Sequence, residues 1–428
     1  MLPLLTLVLQ VAVILATCRV IAVLFRSLGQ PSVVGEMFAG VLLGPSILGA
    51  FAPRLSVILF PPSSLASLNA LSQIGLIIFM FLVGLGMNPS ELRNHSHVTL
   101  LASHTSIALP FGLACVLSLY LYPRLSDNSV SFTSFSLFMG AAMSITAFPV
   151  LARILSERNM LQSRLGNIAI ACAAVDDVTG WCILAYIVLL IRARSSAASV
   201  WLTLAGALAF ALLMVGGVRR LVGRFETLYR ERGELTDNAW AIMLLLVFLS
   251  ALCTEWLGIH LLFGAFLMGV IMPRDGRFVR YVIDRFEVLS VVLLLPLFFA
   301  FTGLRTSIAL VKGQTMWGYC ALIILTAIAG KLGGSMAASR MMGLPVRESA
   351  GLGILMNTRG LMELVILNIG LDLKVISPAL FSMMVLMALV TTFMTTPLLK
   401  LIYREEPAMV ASAEINENAT ASSGISAA

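Results

Sequence analysis

Apolar runs of roughly 20 residues, separated by short polar links, recur along almost the whole chain, and that is the length an α-helix needs to cross a hydrocarbon layer of about 30 Å. Run length and the punctuation by Gly, Pro and charge predict spans near 3–24, 34–51, 65–86, 98–122, 131–152, 166–191 and 199–218. A second set follows near 239–257, 260–272, 288–310, 315–338, 349–371 and 377–402. Residues 239–273 admit two readings, one long helix or two short ones broken around Gly258, and the choice decides which side every later link occupies. With thirteen spans, one side of the membrane carries 18 Lys and Arg and the other 7, whereas merging the pair gives 13 and 12. Cytoplasmic links normally hold the excess of basic residues. The pattern therefore predicts thirteen spans, with the N-terminus outside and the C-terminus cytoplasmic.

Composition agrees. Of 428 residues, 59% are hydrophobic and 11% charged, against about 25% charged in a soluble domain. The expectation is an all-α polytopic membrane protein whose partner is the lipid bilayer, with one integral domain over 1–404 and a small polar tail over 405–428 that cannot form a core. The net charge of +7 does not point to nucleic acid, because the basic residues sit in links between apolar runs and form no aromatic-interleaved patch. All six cysteines lie inside apolar runs without metal-binding spacing, so neither a disulfide framework nor a metal cofactor is implied. The first run lacks a basic leader and reads as a retained span. The pattern suits a plasma membrane, with arginine-rich basic usage pointing to a bacterial inner membrane.

Thirteen spans divide into two sets of six joined by a linking span, which inverts the second half relative to the first. The fifth span of each half is interrupted, at SITAFPVLAR around Pro149 and at GILMNTRGLMEL around Asn357 to Gly360. Matching interruptions in two halves point to a transporter site at the repeat interface.

Several charges lie where apolar residues belong. Asp176, Asp177 and Glu363 are deep in spans, Lys331 is the only lysine within one, and Arg359 sits at the second interruption; Glu36 and Glu255 fall nearer span ends, where interfacial solvation is the plain account. A central charge opposes insertion by about 2.5–3.5 kcal/mol, so such groups must be paired, hydrated or neutralised. At about 1.5 Å rise per residue, Asp177 lies roughly 20 Å from the cytoplasmic marker Arg164, Lys331 roughly 14 Å from Arg340 and Arg359 roughly 18 Å from Arg347. Pro149 falls at a similar level, so the fifth, sixth, eleventh and twelfth spans are expected to meet at one buried site.

Adjacent helical positions point about 100° apart, so Asp176 and Asp177 cannot chelate one ion together and should do different work. Asp177 is assigned as the cation ligand and Asp176 as the partner of Lys331, although sequence alone permits the reverse. Thr146 and Asn357 can offer oxygens to a cation or satisfy backbone groups freed by the interruptions. Arg359 and Glu363, four residues apart on one face, can form a structural salt bridge or a functional one. His95 and His97 are expected in a solvated loop.

The segments GEMFAGVLLGPSILG (35–49), SITAFPVLARIL (144–155), AAVDDVTGW (173–181), FAFTGLRT (299–306) and NTRGLMELVILNIGL (357–371) resemble the monovalent cation/proton antiporters, in the branch of the bacterial Kef and NapA-type proteins and the plant CHX exchangers. The resemblance implies an NhaA-like fold with crossed discontinuous helices and a homodimer. Its core would comprise the spans near 98–191 and 315–402, and its dimerisation scaffold those near 1–86 and 199–310. It implies ion and proton binding at Asp176 and Asp177, with Lys331 paired to the first acid, and electrogenic exchange of Na⁺ or K⁺ for protons by alternating access, with no enzymatic chemistry. A Kef-type potassium efflux pathway is the alternative. An intramembrane aspartyl protease is disfavoured, because it needs its two acids on facing helices.

Overall fold

The computed structural model describes residues 3–87, 97–126, 130–158, 160, 163–192, 197–258 and 260–403. The described residues are helical or irregular, without strands. In chain order the principal helices are α1 Pro3–Ser27, α2 Ser32–Leu43, α3 Pro62–Gly86, α4 His97–Leu125, α5 Phe132–Ser144, α6 Phe148–Glu157 and α7 Arg164–Arg192. They continue as α8 Ala205–Arg232, α9 Asp237–Trp256, α10 Leu261–Ile271, α11 Gly276–Leu310, α12 Gly313–Met341, α13 Val346–Met356, α14 Leu361–Asp372 and α15 Pro378–Ile402. With α5–α6 and α13–α14 each taken as one interrupted crossing, twelve helical segments are long and apolar enough to span a membrane.

The ninth apolar run departs from the sequence reading. The chain does break at Gly258, which takes a positive φ of 79° that glycine adopts without steric cost. The helix that follows, α10, has only 11 residues, about 16 Å of rise, and is too short to cross by itself. Glu255, expected at a solvated span end, holds the turn together by accepting a hydrogen bond from the Leu261 N–H at 3.1 Å. Two other expectations change. His97 begins α4 instead of lying in a loop, and Glu36 is 1% exposed where interfacial solvation was expected. The side chain of Glu36 is enclosed between α1 and its own helix, with Arg19 at 3.9 Å. His95 and the tail 405–428 lie outside the described residues.

Helix ends follow local chemistry. Ser131 accepts from the Ser134 N–H to cap α5, Thr236 from the Ala239 N–H to cap α9, and Ser377 from the Leu380 N–H to cap α15. Proline opens α3 and α15 and occupies the first turn of α6, where its missing N–H costs nothing. The helices pack in two groups: α4, α5, α6, α7, α12, α13, α14 and α15 against one another, and α1, α2, α3, α9, α10 and α11 against one another. Within the second group, Gly40 and Gly303 bring α2 and α11 so close that a Cβ on either would collide with the other helix's backbone, the close approach that small residues permit in membrane interfaces.

Candidate functional site

Two interruptions build the site. Between α5 and α6 the backbone is extended at Ile145 and Ala147, because Pro149 supplies no N–H and disfavours helix in the residue before it. Between α13 and α14 residues 357–360 leave the helix and Gly360 takes an extended conformation. The two breaks touch. The Ala147 N–H donates to the Thr358 carbonyl at 3.2 Å, and the Thr146 hydroxyl lies 2.9 Å from the Met356 carbonyl at the end of α13. Peptide groups freed by one interruption are thus served by the other, as a dry interior requires.

Asp176, from the middle of α7, lies beside this crossing and is wholly buried. Its carboxylate faces four donors: Lys331 Nζ at 2.6 Å, Ser103 Oγ at 2.8 Å, Thr146 Oγ1 at 2.8 Å, and Ser106 Oγ at 3.0 and 3.1 Å from its two oxygens. Lys331 is equally buried and projects from a π-helical turn of α12, Ala329–Gly333, a local widening that frequently marks functional sites. The ion pair assigned from the sequence is therefore formed, with hydroxyl groups saturating the carboxylate as well.

Asp177 is in the opposite condition. It too is wholly buried, yet neither carboxylate oxygen has a hydrogen-bond partner. The group facing it is the backbone N–H of Phe148 at the start of α6, too loosely placed to count as a full hydrogen bond. Asn357 at the second break resembles it in one respect, being 1% exposed with an unpartnered Oδ1. Two buried oxygen-bearing side chains without partners are what a bare cation ligand set looks like before a cation or proton arrives.

Arg359 and Glu363 form their ion pair at 3.3 Å, both buried. The guanidinium also donates to the Ala142 carbonyl at 3.0 Å and the Met143 carbonyl at 2.6 Å, so it caps the C-terminal end of α5 from the other half of the chain. Its backbone is held by Thr392 of α15, whose hydroxyl accepts from the Arg359 N–H at 3.0 Å and approaches its carbonyl at 2.7 Å. This arrangement places Arg359 and Glu363 in the scaffold of the crossing, not among the donors around Asp176. Pro149 lines a cleft of about 510 Å³ between the two helix groups, with Val33, Phe79, Arg153, Glu287 and Leu361.

The sequence reading missed Ser103, Ser106 and Thr392. A serine or threonine inside an apolar run costs little to insert and carries no signal of its own. The spacing of Ser103 and Ser106, three apart on one face of α4, was the available hint.

Membrane-spanning helices throughout, and two discontinuous helices meeting at buried ionisable groups, define the class: a secondary transporter architecture. Residues 12–402 match the transmembrane sodium/hydrogen exchangers, and the chain belongs to that family. It is 42% identical over 395 residues to the Na⁺/H⁺ antiporter NhaS4 of Synechocystis, covering 92% of this chain and 96% of the relative. It is 41% identical over 403 residues to cation/H⁺ antiporter 17 of Arabidopsis thaliana, covering 93% of this chain but 48% of that protein, so it spans about half that plant relative's length. The fold is similar to that of the sodium proton antiporter MjNhaP1 of Methanocaldococcus jannaschii at pH 8, with a TM-score of 0.62 and 15% identity over 93% of this chain and 97% of that one.

Proposed function

We propose that this protein is a secondary antiporter that exchanges a monovalent cation, Na⁺ or K⁺, for protons by alternating access. The observation that carries the reading is the contrast between neighbouring acids: Asp176 is saturated by donors while Asp177 is buried with both oxygens free. Asp177 is the site of competition. A cation binding there displaces the carboxyl proton, and the proton's return expels the cation. If Lys331 also gives up its proton while the cation is bound, two protons move per cation and the cycle carries one net charge across the membrane. Asp176 and Thr146 bound the binding site, Asn357 offers a further oxygen, and Arg359, Glu363 and Pro149 keep the two breaks in place.

The grouping of contacts supports a moving core, α4–α7 with α12–α15, against a scaffold, α1–α3 with α8–α11, that also forms a homodimer. The cleft lined by Arg153 and Glu287 then leads to the cytoplasmic side of a bacterial inner membrane, with the N-terminus outside. The 18-to-7 distribution of basic residues supports that orientation.

Reconstitution tests the proposal. Liposomes holding an inside-acid pH gradient should lose it on addition of Na⁺ or K⁺, and Asp177→Asn should abolish the response while the protein still folds. Dependence of the rate on a clamped membrane potential reads out charge movement. Cation flux without proton coupling would favour the Kef-type efflux pathway, and persistent exchange by Asp177→Asn would refute the assignment of the site.

A further inference from the structure

Each hydroxyl that serves Asp176 has a second acceptor within reach. Ser103 Oγ lies 2.8 Å from Asp176 Oδ1 and 3.4 Å from the Cys172 carbonyl. Ser106 Oγ lies 3.0 Å from Asp176 Oδ2 and 2.8 Å from the Ser103 carbonyl. Thr146 Oγ1 lies 2.8 Å from Asp176 Oδ2 and 2.9 Å from the Met356 carbonyl. A hydroxyl has one proton to give, so each can serve the carboxylate or the carbonyl, but not both at full strength. Ser106 has a further link, because its oxygen lies 3.4 Å from Lys331 Nζ and can accept from the ammonium while donating to the carboxylate.

We infer that Ser103, Ser106 and Thr146 form a switchable hydroxyl shell that lets Asp176 gain or lose charge without stranding a buried polar group, and that Ser103 and Ser106 are positioning residues for the exchange. The inference deepens the antiport reading above and rests on it. With Asp176 ionised and paired to Lys331, the three hydroxyl protons turn toward the carboxylate. When Asp176 takes a proton, its own O–H donates to one of the hydroxyl oxygens, and the hydroxyl protons return to the carbonyls of Cys172, Ser103 and Met356. No side chain needs to change rotamer, because only O–H bonds rotate. An unserved buried polar group would otherwise obstruct the charge change. Thr146 gives the switch mechanical consequence, since its second acceptor ends α13 and its turning alters the hold between the two breaks.

The charged and titratable groups around Asp176 are Lys331 of α12, Asp177 and Cys172 of α7, and Arg359 with Glu363 at the second break; His104 of α4 lies on that helix's exposed face. None of these is altered by truncating the serines. In the full-length protein in liposomes, Ser103→Ala/Ser106→Ala should keep cation/proton exchange but move the acid limb of its pH profile to higher pH by about one to two units, since two donors to the ionised form are lost. Ser103→Thr/Ser106→Thr should restore the wild-type limb. A second measurement does not depend on transport. In an Asp177→Asn background, the pH dependence of the unfolding temperature in detergent should shift the same way when the two alanines are added. Wild-type profiles in both measurements would overturn the inference, while a shift in unfolding without any exchange by the wild-type protein would uphold the shell and refute the antiport reading.

Discussion

Arg359→Met removes one guanidinium and, with it, the bridge between the two interruptions. The arginine is wholly buried and serves the Ala142 carbonyl at 3.0 Å, the Met143 carbonyl at 2.6 Å and Glu363 at 3.3 Å. Leaving a buried carbonyl unserved costs about 1–3 kcal/mol, so the end of α5 alone should lose roughly 2–6 kcal/mol by the same measure. The stranded Glu363 adds to this, since removing one partner of a buried pair is far more damaging than removing both. Against a total stability of about 5–15 kcal/mol, the single variant should unfold at a much lower temperature or denaturant concentration. Arg359→Met/Glu363→Leu relieves the stranded carboxylate but not the two carbonyls. The double variant should therefore be more stable than the sum of the single changes requires, with a coupling energy of about 1–3 kcal/mol. Unfolding of the purified protein in detergent, followed by tryptophan fluorescence and by circular dichroism, measures both. An Arg359→Met protein within about 1 kcal/mol of wild type, or additivity within about 0.5 kcal/mol, would refute the argument that Arg359 is the cap of α5.

Other outcomes follow from the same geometry. Arg305 of α11 reaches Asn368 at 3.0 Å and Asp372 at 2.5 Å across to α14, on the side of the molecule away from the Arg153 cleft. An exposed pair of this kind is worth about 0–1 kcal/mol, so Arg305→Gln should leave the unfolding temperature nearly unchanged yet raise thiol labelling at Ser382→Cys several-fold; unchanged labelling would show that these contacts do not hold that side closed. Glu36 is enclosed with both oxygens lacking hydrogen bonds, so Glu36→Met should match or exceed wild-type stability, and a loss of more than about 1 kcal/mol would show that the distant Arg19 pairing matters. Asp275 caps Gly276–Glu287 by accepting from the Arg277 N–H at 2.9 Å and the Phe278 N–H at 3.1 Å. Chiefly the Phe278 N–H, with the Arg277 N–H and the Arg230 and Arg277 guanidinium groups, holds its carboxyl below the usual carboxylate range. A depressed carboxyl stabilises the fold above its unfolded value and loses that contribution as the pH falls through its folded value. The destabilisation of Asp275→Ala should thus be full at neutral pH and shrink below about pH 4, which thermal unfolding at stepped pH will show.

The sequence determined the layout of the membrane crossing and the principal charges of the site. Apolar length marks a span whatever surrounds it, Pro149 and the Asn357–Gly360 segment interrupt helices through their own backbone chemistry, and a buried lysine facing two acids is too costly to insert without a partner. The pairing of Asp176 with Lys331 across 155 positions was legible for that reason. Other features were decided only in three dimensions. Lipid and protein interior are equally apolar, so a helix that is hydrophobic all round does not declare which face meets its neighbours. The pattern therefore said nothing of Ser103 and Ser106 turning toward Asp176, or of α10 being too short to cross. Arg359 had an evident local partner in Glu363, and its second task, capping α5 from 216 and 217 positions away, arises only where the two interruptions cross. Asp177 gave the same signal in the sequence as Asp176. Which acid stays saturated and which is left free was set by the helices packed against each face of α7.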